Sequence, residues 1–400
     1  MRVAVLGAGV IGVTSAYYLS QAGHDVTVVD QADSIASGAS AQNGGQLSYS
    51  YTDALASPSL LKKLPGIILG RDPALRVNPP LDMHWLRWSL GFLRQCTPGA
   101  HRDNTASVQQ LALKSQALMD DLIAHTGINF DHCTAGKLVL LDSQKGYREA
   151  EKSSAAKRAL GCKVDVINWQ EAERIEPALA AMTRTYQGAI YARSDAVGDS
   201  QKFSRALGRW LEEHTKTRFL LGTRIRNITQ NPQGTRLIET DRQVLEADNI
   251  IVCLGPGGQR LVAGQNNGSV IYPARGYSVT LPPGEAASKV SITDLSTKLV
   301  FSRLGECIRI AGFVDFVGYR AEDDAERVND LVDAARRLAP MLADYKTPEM
   351  RAWGGFRPMT TNSRPVVYKD ASSGIAYNMG HGMLGWTLAC ATGHQVTRLL

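Results

Sequence analysis

The chain has 400 residues, 44% of them hydrophobic, and can therefore bury a core large enough for two domains. Its net charge of +6 comes from dispersed lysines and arginines, which argues against nucleic acid as a partner. The six cysteines lack metal-site spacing and the eight histidines form no cluster, so the sequence indicates no metal site, no disulfide framework and a cytoplasmic location.

The sequence VLGAGVIG at residues 5–12 is the first motif. A short buried strand over Arg2–Leu6 is predicted before it, a helix over Val10–Ala22 after it, and a second strand over Asp25–Asp30. Glycines at a strand-to-helix corner are typical of dinucleotide-binding folds.

Each glycine of this motif, and the acid that ends the second strand, has a predicted role. Gly7 makes the tight turn, Gly9 lets the backbone approach a pyrophosphate, and Gly12 lets helix and strand pack closely. Asp30, at the end of the second strand, can accept hydrogen bonds from both ribose hydroxyls, and an acid there disfavours the 2′-phosphate of NADP.

Three further segments are rich in glycine or small polar residues. Residues 34–48, SIASGASAQNGGQLS, form either a loop that offers hydroxyl and N–H groups to an extended anionic cofactor or a flexible linker. Residues 247–258 are predicted as a buried strand that runs into a Gly-Pro-Gly-Gly turn, and residues 380–387 as a turn that starts a last helix. These ends can serve one ligand only if the chain returns repeatedly to one sheet.

The middle of the chain contains amphipathic segments. Helices are predicted over residues 105–125 and 200–214, and a strand over residues 221–228. Residues 81–96 carry an apolar stripe at helical spacing, with Arg87 and Arg94 elsewhere on the surface. The stripe consists of Leu81, Trp85, Trp88 and Phe92. Such a helix forms either a wall of the active site or a contact with a membrane interface.

Several of these motifs together resemble the D-amino-acid oxidase superfamily of flavoproteins, and within it the bacterial D-amino-acid dehydrogenases. The likeness extends over nearly the whole chain. It rests on VLGAGVIG at 5–12, ASAQNGGQLS at 39–48, EAERIEPAL at 171–179, DAVGDSQKFSRAL at 195–207, YPARGYSVT at 272–280, GFRPMTTNSRPVV at 355–367 and GHGMLGWT at 380–387.

This resemblance implies bound FAD and an α/β fold: a doubly wound, Rossmann-like FAD-binding domain and a substrate domain of α+β type whose antiparallel sheet forms a roof over the flavin. The expected FAD-binding parts are residues 1–80, 161–260 and 356–400, and the substrate domain comprises residues 81–160 and 261–355.

It also implies a set of cofactor-binding residues. Those expected at the pyrophosphate are Gly7, Gly9, Val10, Ile11 and Gly12, and those at the adenosine are Asp30, Gln31 and, through its backbone, Ile225. Those expected along the pyrophosphate and flavin are Ser40, Asn43, Gly44, Gly45, Gln46 and Gly255, and those at the flavin ring are Gly382, Met383, Leu384 and Thr387.

The implied chemistry is transfer of the α-hydrogen of an amino acid as hydride to the flavin, which requires a cation for the carboxylate. Arg357 is the expected cation, with Arg303 and Arg309 as alternatives; a structural ion pair is the competing role for each. Tyr277 is expected either to bind substrate or to be a buried tyrosine with a satisfied hydroxyl, and His381 to shape the flavin loop.

The resulting hypothesis is an FAD-dependent D-amino-acid dehydrogenase that passes electrons to a quinone or another respiratory-chain acceptor, with peripheral contact at the inner face of the cytoplasmic membrane. One alternative is an oxidase that uses O₂ and acts on D-amino acids, glycine or a secondary amine such as D-proline. Another is a flavin-binding sensor without catalytic activity, since a fold does not fix a function.

Overall fold

Two large β-sheets organise the protein. The computed structural model describes residues 1–68, 70–231, 234–258, 270–320 and 324–400. In these ranges there are sheets of six, nine, three and two strands. The strands are β1 (Arg2–Leu6), β2 (Asp25–Val29), β3 (Gln46–Leu47), β4 (Leu75–Val77), β5 (Lys137–Leu141), β6 (Val164–Asn168), β7 (Gly188–Ala192), β8 (Ala196–Val197), β9 (Arg218–Leu220), β10 (Ile225–Gln230), β11 (Arg236–Thr240), β12 (Val244–Ala247), β13 (Asn249–Val252), β14 (Ile271–Leu281), β15 (Ser291–Asp294), β16 (Leu299–Leu304), β17 (Cys307–Phe316), β18 (Arg351–Thr360), β19 (Val366–Lys369) and β20 (Ala376–Met379).

The helices begin and end at residues that suit their caps. Asp82, Thr97 and Asp199 each accept hydrogen bonds from backbone N–H groups of the helix that follows. Gly127, with a left-handed φ of +63°, ends the longest described helix. The described helices are α1 (Val10–Gln21), α2 (Pro58–Ile68), α3 (Met83–Gln95), α4 (Pro98–Thr126), α5 (Gln144–Ala159), α6 (Trp169–Ile175), α7 (Ser200–His214), α8 (Asp324–Leu338) and α9 (Gly385–Val396).

The six-stranded sheet has the order β19-β20-β13-β1-β2-β9 and is parallel except for β19. Its strands are apolar on both faces because both faces are covered. On one face, Val5, Val28 and Ile251 belong to a core shared with α1, α7 and α9. On the other face, Ile238 of the antiparallel sheet β10-β11-β12 packs in one cluster with Leu6.

The predicted Rossmann-like architecture is therefore confirmed, with one difference. A three-stranded antiparallel sheet covers the second face, where a doubly wound sheet would carry helices. The predicted strand over residues 221–228 is observed only from Ile225, where β10 begins in the antiparallel sheet; residues 221–224 link it to β9, which ends at Leu220 in the parallel sheet. The sequence pattern predicted extended backbone but could not reveal the change of sheet between β9 and β10.

The nine-stranded sheet is the predicted roof. Its order is β18-β14-β17-β16-β15-β5-β7-β6, with β4 added beside β17, and only the pairs β15/β5 and β17/β4 are parallel. Val328 and Leu331 of α8 pack on one face, against Tyr277 and Val279 of β14. The opposite face lies against the loop of residues 42–44.

The observed elements cross the predicted domain boundaries at four places. Strand β4 belongs to the roof sheet, although residues 1–80 were expected in the FAD-binding part. Strands β6 and β7 belong to the roof sheet, although residues 161–260 were expected in the FAD-binding part. Helix α4 lies within 81–160 but packs on α9, and β18 extends across the expected boundary at residue 356. Periodicity predicts each element, but the choice of neighbour depends on long-range packing that the pattern does not encode.

Candidate functional site

Loops after four parallel strands meet at one edge of the six-stranded sheet. Leu6 of β1 is in register with Val29 of β2 and Val252 of β13, and β13 pairs in parallel with β20. The carboxyl ends of these strands therefore lie together, where open α/β sheets bind ligands. Gly255, which has a φ of +56°, follows β13 at this edge. The predicted convergence of the glycine-rich ends on one sheet is observed.

The three glycines of the first turn differ in what they face. A Cβ on Gly7, whose φ is +109°, would lie 2.6 Å from the carbonyl oxygen of Cys253, and one on Gly12 would lie 1.8 Å from that of Gly7. A Cβ on Gly9 would meet only the hydroxyl of Ser40, at 3.4 Å. Packing within the protein thus requires Gly7 and Gly12, whereas the space beside Gly9, at the N-terminus of α1, is open to a ligand.

Asp30 joins the end of β2 to the glycine turn. Its carboxylate accepts hydrogen bonds from the N–H of Ala8 at 2.7 Å and from that of Ala32 at 2.9 Å. Each oxygen can accept a second bond, so two acceptor positions remain. The N–H of Thr223 donates to the carbonyl of Asp30, which brings the start of β10 at Ile225 close to this carboxylate. Gln31, next to Asp30, is exposed.

The loop of residues 40–46 is fixed by the roof sheet. The hydroxyl of Ser40 accepts from the N–H of Val10 at 3.0 Å, which ties the loop to α1. Three successive carbonyls accept side-chain hydrogen bonds: Gln42 from Ser278, Asn43 from Arg309, and Gly44 from Ser302. The N–H groups of residues 42–44 find no acceptor among the described residues. A rigid backbone with free N–H groups can bind an anionic or carbonyl-bearing ligand.

The turn after β20 closes the site. Gly380 and Gly382 have φ angles of +73° and +56°, so the chain turns sharply before α9. His381 is buried and its Nε2 lies 3.0 Å from the hydroxyl of Thr392; burial lowers its pKa to about 3 and keeps the ring neutral. Thr387 accepts a hydrogen bond from the N–H of Ser48, which joins this turn to the loop of residues 40–48. In this turn Met383 is exposed, and Leu384 is the N-cap of the last helix.

The guanidinium of Arg357 lies on the face of the roof sheet that meets the loop of residues 42–44. Arg357 lies on β18 opposite Ala274 of β14, and a Cβ on Gly276 would be 2.4 Å from its Cζ atom. Its Nη1 donates to the carbonyl of Phe313 at 3.3 Å; Phe313 has a strained φ of +56°, where the pairing of β14 and β17 is irregular. Burial lowers the pKa of Arg357 to about 10. In the part of the chain that the structure describes, no carboxylate lies within salt-bridge distance of it.

Three arginines in or beside the roof sheet are buried, and each has a carboxylate partner. These pairs are Arg275 with Asp324, Arg309 with Asp199, and Arg327 with Asp315. Of the two alternatives to Arg357, Arg309 is therefore neutralised, and it anchors the loop through Asn43. Arg303 binds Glu306 and the carbonyl of Gly305 in a hairpin. Arg357 is partly buried, and among the described residues no carboxylate neutralises its charge.

Tyr277 does not join this group. Its hydroxyl donates to Asp315 at 3.0 Å, and its ring lies beneath the guanidinium of Arg327 on the face of the roof that packs against α8. Neighbouring residues of a strand point to opposite faces, so Tyr277 points away from the face shared by Gly276 and Ser278. The interpretation of Tyr277 as a substrate-binding residue is thus wrong in this structure. Its alternative, a buried tyrosine with a satisfied hydroxyl, is what the structure contains.

The aromatic stripe of α3 forms a wall beside Arg357. The indole of Trp88 donates to the carbonyl of Met359 at 2.8 Å and stacks on Phe92. Trp85 stacks on Trp88 and packs against the roof sheet. Leu81 precedes the helix and is 90% exposed, so it is not part of the stripe. Trp88 is buried, so of the two alternatives for this stripe the structure contains the wall, and the tryptophan face is not available to a membrane.

Sequence reasoning missed three residues that shape the site. Gly276 leaves room for the guanidinium of Arg357, and Ser278 and Ser302 hold the loop of residues 42–44. A glycine inside an otherwise apolar strand signals a close approach, so the segment around Gly276 contained a usable signal. The serines had none, because their role depends on a loop far away in the sequence.

A parallel sheet with an open glycine turn and an acid after the second strand is the arrangement of a dinucleotide-binding fold. The model of the family described as "FAD dependent oxidoreductase" (DAO) matches residues 2–399. The chain belongs to this family, which confirms the predicted relationship, and FAD is its cofactor.

Relatives cover the whole chain. A D-amino acid dehydrogenase of Dechloromonas aromatica is 36% identical, with 100% of this chain and 97% of the relative aligned. D-amino acid dehydrogenase 2 of Ralstonia nicotianae is 33% identical, with 100% and 96% aligned. Among solved structures, glycine oxidase from Bacillus cereus has a TM-score of 0.76 at 17% identity, over 100% of this chain and 94% of that one. At that identity the likeness shows the fold alone.

The observed site fits FAD. The open approach at Gly9, the N-terminus of α1 and the free N–H groups of residues 42–44 together suit a pyrophosphate and a flavin ring. The described residues contain no group of three or more His, Cys, Asp or Glu side chains able to hold a metal ion. None of the described helices is long and apolar enough to cross a membrane.

Proposed function

We propose that the protein is a D-amino-acid dehydrogenase, in which an amino acid bound under the roof sheet is oxidised at its α-carbon. The full-length relatives that carry this name support the substrate class. The single observation that carries the proposal is Arg357, a partly buried guanidinium without a described carboxylate partner, on the face of the roof that meets the glycine turns. Withdrawing a charge from water without an opposite charge nearby is costly, so such a group favours an anionic ligand.

Arg357 binds the substrate carboxylate with two parallel hydrogen bonds, for which a planar guanidinium is suited. The carbonyl of Phe313 and the absence of a side chain at Gly276 hold the guanidinium in place. FAD, when bound, accepts the α-hydrogen as hydride, so no protein base is needed at that carbon. This agrees with His381, whose ring is held by Thr392 and remains neutral. The wall formed by Trp85 and the buried Trp88 excludes water from one side.

The cofactor-binding residues proposed from the sequence are retained. Gly7, Gly9, Val10, Ile11 and Gly12 are assigned to the pyrophosphate, Asp30, Gln31 and Ile225 to the adenosine, and Ser40, Asn43, Gly44, Gly45, Gln46, Gly255, Gly382, Met383, Leu384 and Thr387 to the pyrophosphate and flavin. Their position around one sheet edge supports this assignment. The direct test of the proposed activity is reduction of the bound flavin by D-amino acids when no other electron acceptor is present.

We further propose that the electrons pass to a quinone in a membrane, which the protein reaches through the outer face of α3. That face is opposite to the tryptophans and is unusual for a helix in contact with water. Its exposed residues are Met83, Leu86, Arg87, Leu90, Leu93 and Arg94, with Leu86 and Leu90 47% and 56% exposed. An apolar stripe flanked by arginines and lacking acids suits an anionic bilayer surface.

The neighbouring helix α2 adds positive charge. Leu60 of α2 packs in the same cluster as Trp88 and Phe92 of α3, so both helices lie on one side of the roof sheet. Lys62 and Lys63 of α2 are exposed. Basic residues near an anionic membrane contribute about 1 kcal/mol each at moderate ionic strength, and salt weakens this contribution.

Replacing Leu86 and Leu90 together by asparagine is expected to lower the affinity for phosphatidylglycerol-containing vesicles at least about tenfold. Burying one leucine side chain fully in an apolar environment contributes about 1.5–3 kcal/mol of free energy, and asparagine loses this contribution. Turnover with a quinone dissolved in the vesicles should fall, while turnover with a water-soluble dye should not. Flotation and parallel rate assays measure both. Val244→Asn, at a 60% exposed position of β12, is the matched control. Equal vesicle binding by the double variant and the wild type would contradict the proposed surface.

A further inference from the structure

A lysine ammonium is buried behind the loop that is proposed to line the flavin. Lys137 is the first residue of β5 and is 4% exposed. Its Nζ donates to Oε1 of Gln46 and to Oγ of Ser48, both at 2.9 Å. It also lies 4.9 Å from the centre of the Tyr51 ring. All of these direct partners are neutral, so the positive charge is not cancelled by contact.

Three charged groups lie near Lys137 without contacting its ammonium: Asp195 and Asp53 attract it, and Lys157 repels it. No carboxylate of the described ranges lies within salt-bridge distance of its Nζ. Asp195 is buried nearby and attracts the ammonium; one of its oxygens accepts from the N–H of Ser50, and the other has no partner. Burial lowers the pKa of Lys137 to about 8, which still leaves the side chain mostly protonated at neutral pH.

A second buried lysine in the same cluster offers a comparison. Lys157 lies 4.6 Å from the centre of the same Tyr51 ring, on α5. Its Nζ, however, forms a salt bridge of 2.6 Å with Asp53. The two lysines share size, burial and an aromatic neighbour, and they differ in whether a carboxylate contacts the ammonium.

The contacts of Lys137 lead directly to the proposed flavin site. Gln46 follows the loop of residues 42–45, and its amide also donates to Thr293 of β15 at 3.2 Å. Ser48, the other partner, is linked through its N–H to Thr387 at the start of the last helix. The ammonium therefore lies where the two segments assigned to the flavin approach each other.

We propose that Lys137 is the buried cation that raises the reduction potential of the bound flavin. This inference rests on the proposed placement of the flavin beside Gln46 and Thr387. Hydride transfer brings two electrons and one proton to the cofactor and so adds one negative charge. A positive charge fixed in a weakly polarisable interior stabilises the charged product more than the neutral oxidised ring. Lys137 contacts neither the substrate nor the reacting atoms. It acts on the reduction potential through the electrostatic field of its charge.

The test is the midpoint potential of the purified, FAD-loaded protein at pH 7, measured by dye equilibration with flavin absorbance as the readout. Lys137→Gln removes the charge but keeps groups that hydrogen-bond to Gln46 and Ser48. We expect it to shift the reduction equilibrium toward oxidised flavin by at least tenfold, which is about 30 mV for two electrons. Lys137→Arg should keep the potential close to that of the wild type. Lys157→Gln, the matched control, removes a charge that Asp53 already neutralises, and should shift it much less.

Each outcome bears on the proposal. An unchanged potential in Lys137→Gln overturns it, as does loss of FAD from both Lys137 variants, which would assign the residue a packing role. Loss of FAD from Lys137→Gln but not from Lys137→Arg would assign the charge to cofactor binding and would also overturn the proposal. The result is independent of substrate: a wild-type protein that no D-amino acid reduces would refute the proposed activity while leaving the potential measurable.

Discussion

Arg357→Ala is expected to lower kcat/KM for D-amino acids by on the order of 10²- to 10³-fold while FAD stays bound. A buried carboxylate without its cation loses roughly 3–5 kcal/mol, and each 1.4 kcal/mol is about tenfold. Arg357 contributes to no described salt bridge, so its removal breaks no ion pair that holds the roof together. Steady-state kinetics and the flavin absorbance of the purified variant measure the two effects separately.

Two further variants sharpen this prediction. Arg303→Ala removes a partly exposed guanidinium bound to Glu306, and should change the kinetics by no more than about 0.5 kcal/mol. Gly276→Ala should mimic the loss of Arg357, because the new methyl would occupy the position of its guanidinium. Near-normal kinetics in Arg357→Ala would show that another group binds the carboxylate.

Gly9→Ala is expected to weaken FAD binding without unfolding the protein. The added methyl meets only the hydroxyl of Ser40 at 3.4 Å, an ordinary contact distance. It would instead intrude on the pyrophosphate, and inserting a methyl into a filled site costs about 1–3 kcal/mol, or roughly 5- to 150-fold in affinity. Titration of the apoprotein with FAD and the thermal unfolding of that apoprotein give the two readouts.

Two other glycines provide the controls. Gly12→Ala should lower both stability and FAD content, because its Cβ would lie 1.8 Å from the carbonyl oxygen of Gly7. Gly99→Ala, whose new methyl would meet nothing within 4 Å, should change neither. If Gly9→Ala bound FAD as tightly as the wild type, the pyrophosphate would have to lie elsewhere.

The FAD-binding half could be predicted because its signals are local. A φ of +109° at Gly7 and the tight contact at Gly12 require glycine, so the glycines themselves predict the local backbone conformation. The parallel sheet then brings Asp30 and the loop before Thr387 to the same edge. Local pattern and topology agree here, which is why the convergence could be inferred from separated motifs.

The substrate half could be predicted only in part, because its geometry depends on distant neighbours. The alternation of β14 puts Tyr277 and Gly276 on opposite faces, but only the packing of α8 decides which face is inside. Likewise the choice between Arg357 and Arg309 depends on Asp199, whose contact with Arg309 joins residues far apart in the sequence. In α3 both faces are apolar, so periodicity alone could not say which one the protein buries.

The most direct measurement is anaerobic mixing of the FAD-loaded protein with the D- and L-isomers of the same amino acids, followed by flavin absorbance. The proposed function predicts that D-isomers bleach the flavin rapidly and saturably, and that Arg357→Ala requires far higher concentrations for the same rate. A flavin that stays oxidised with every D-amino acid, or that L-isomers reduce equally well, would contradict it.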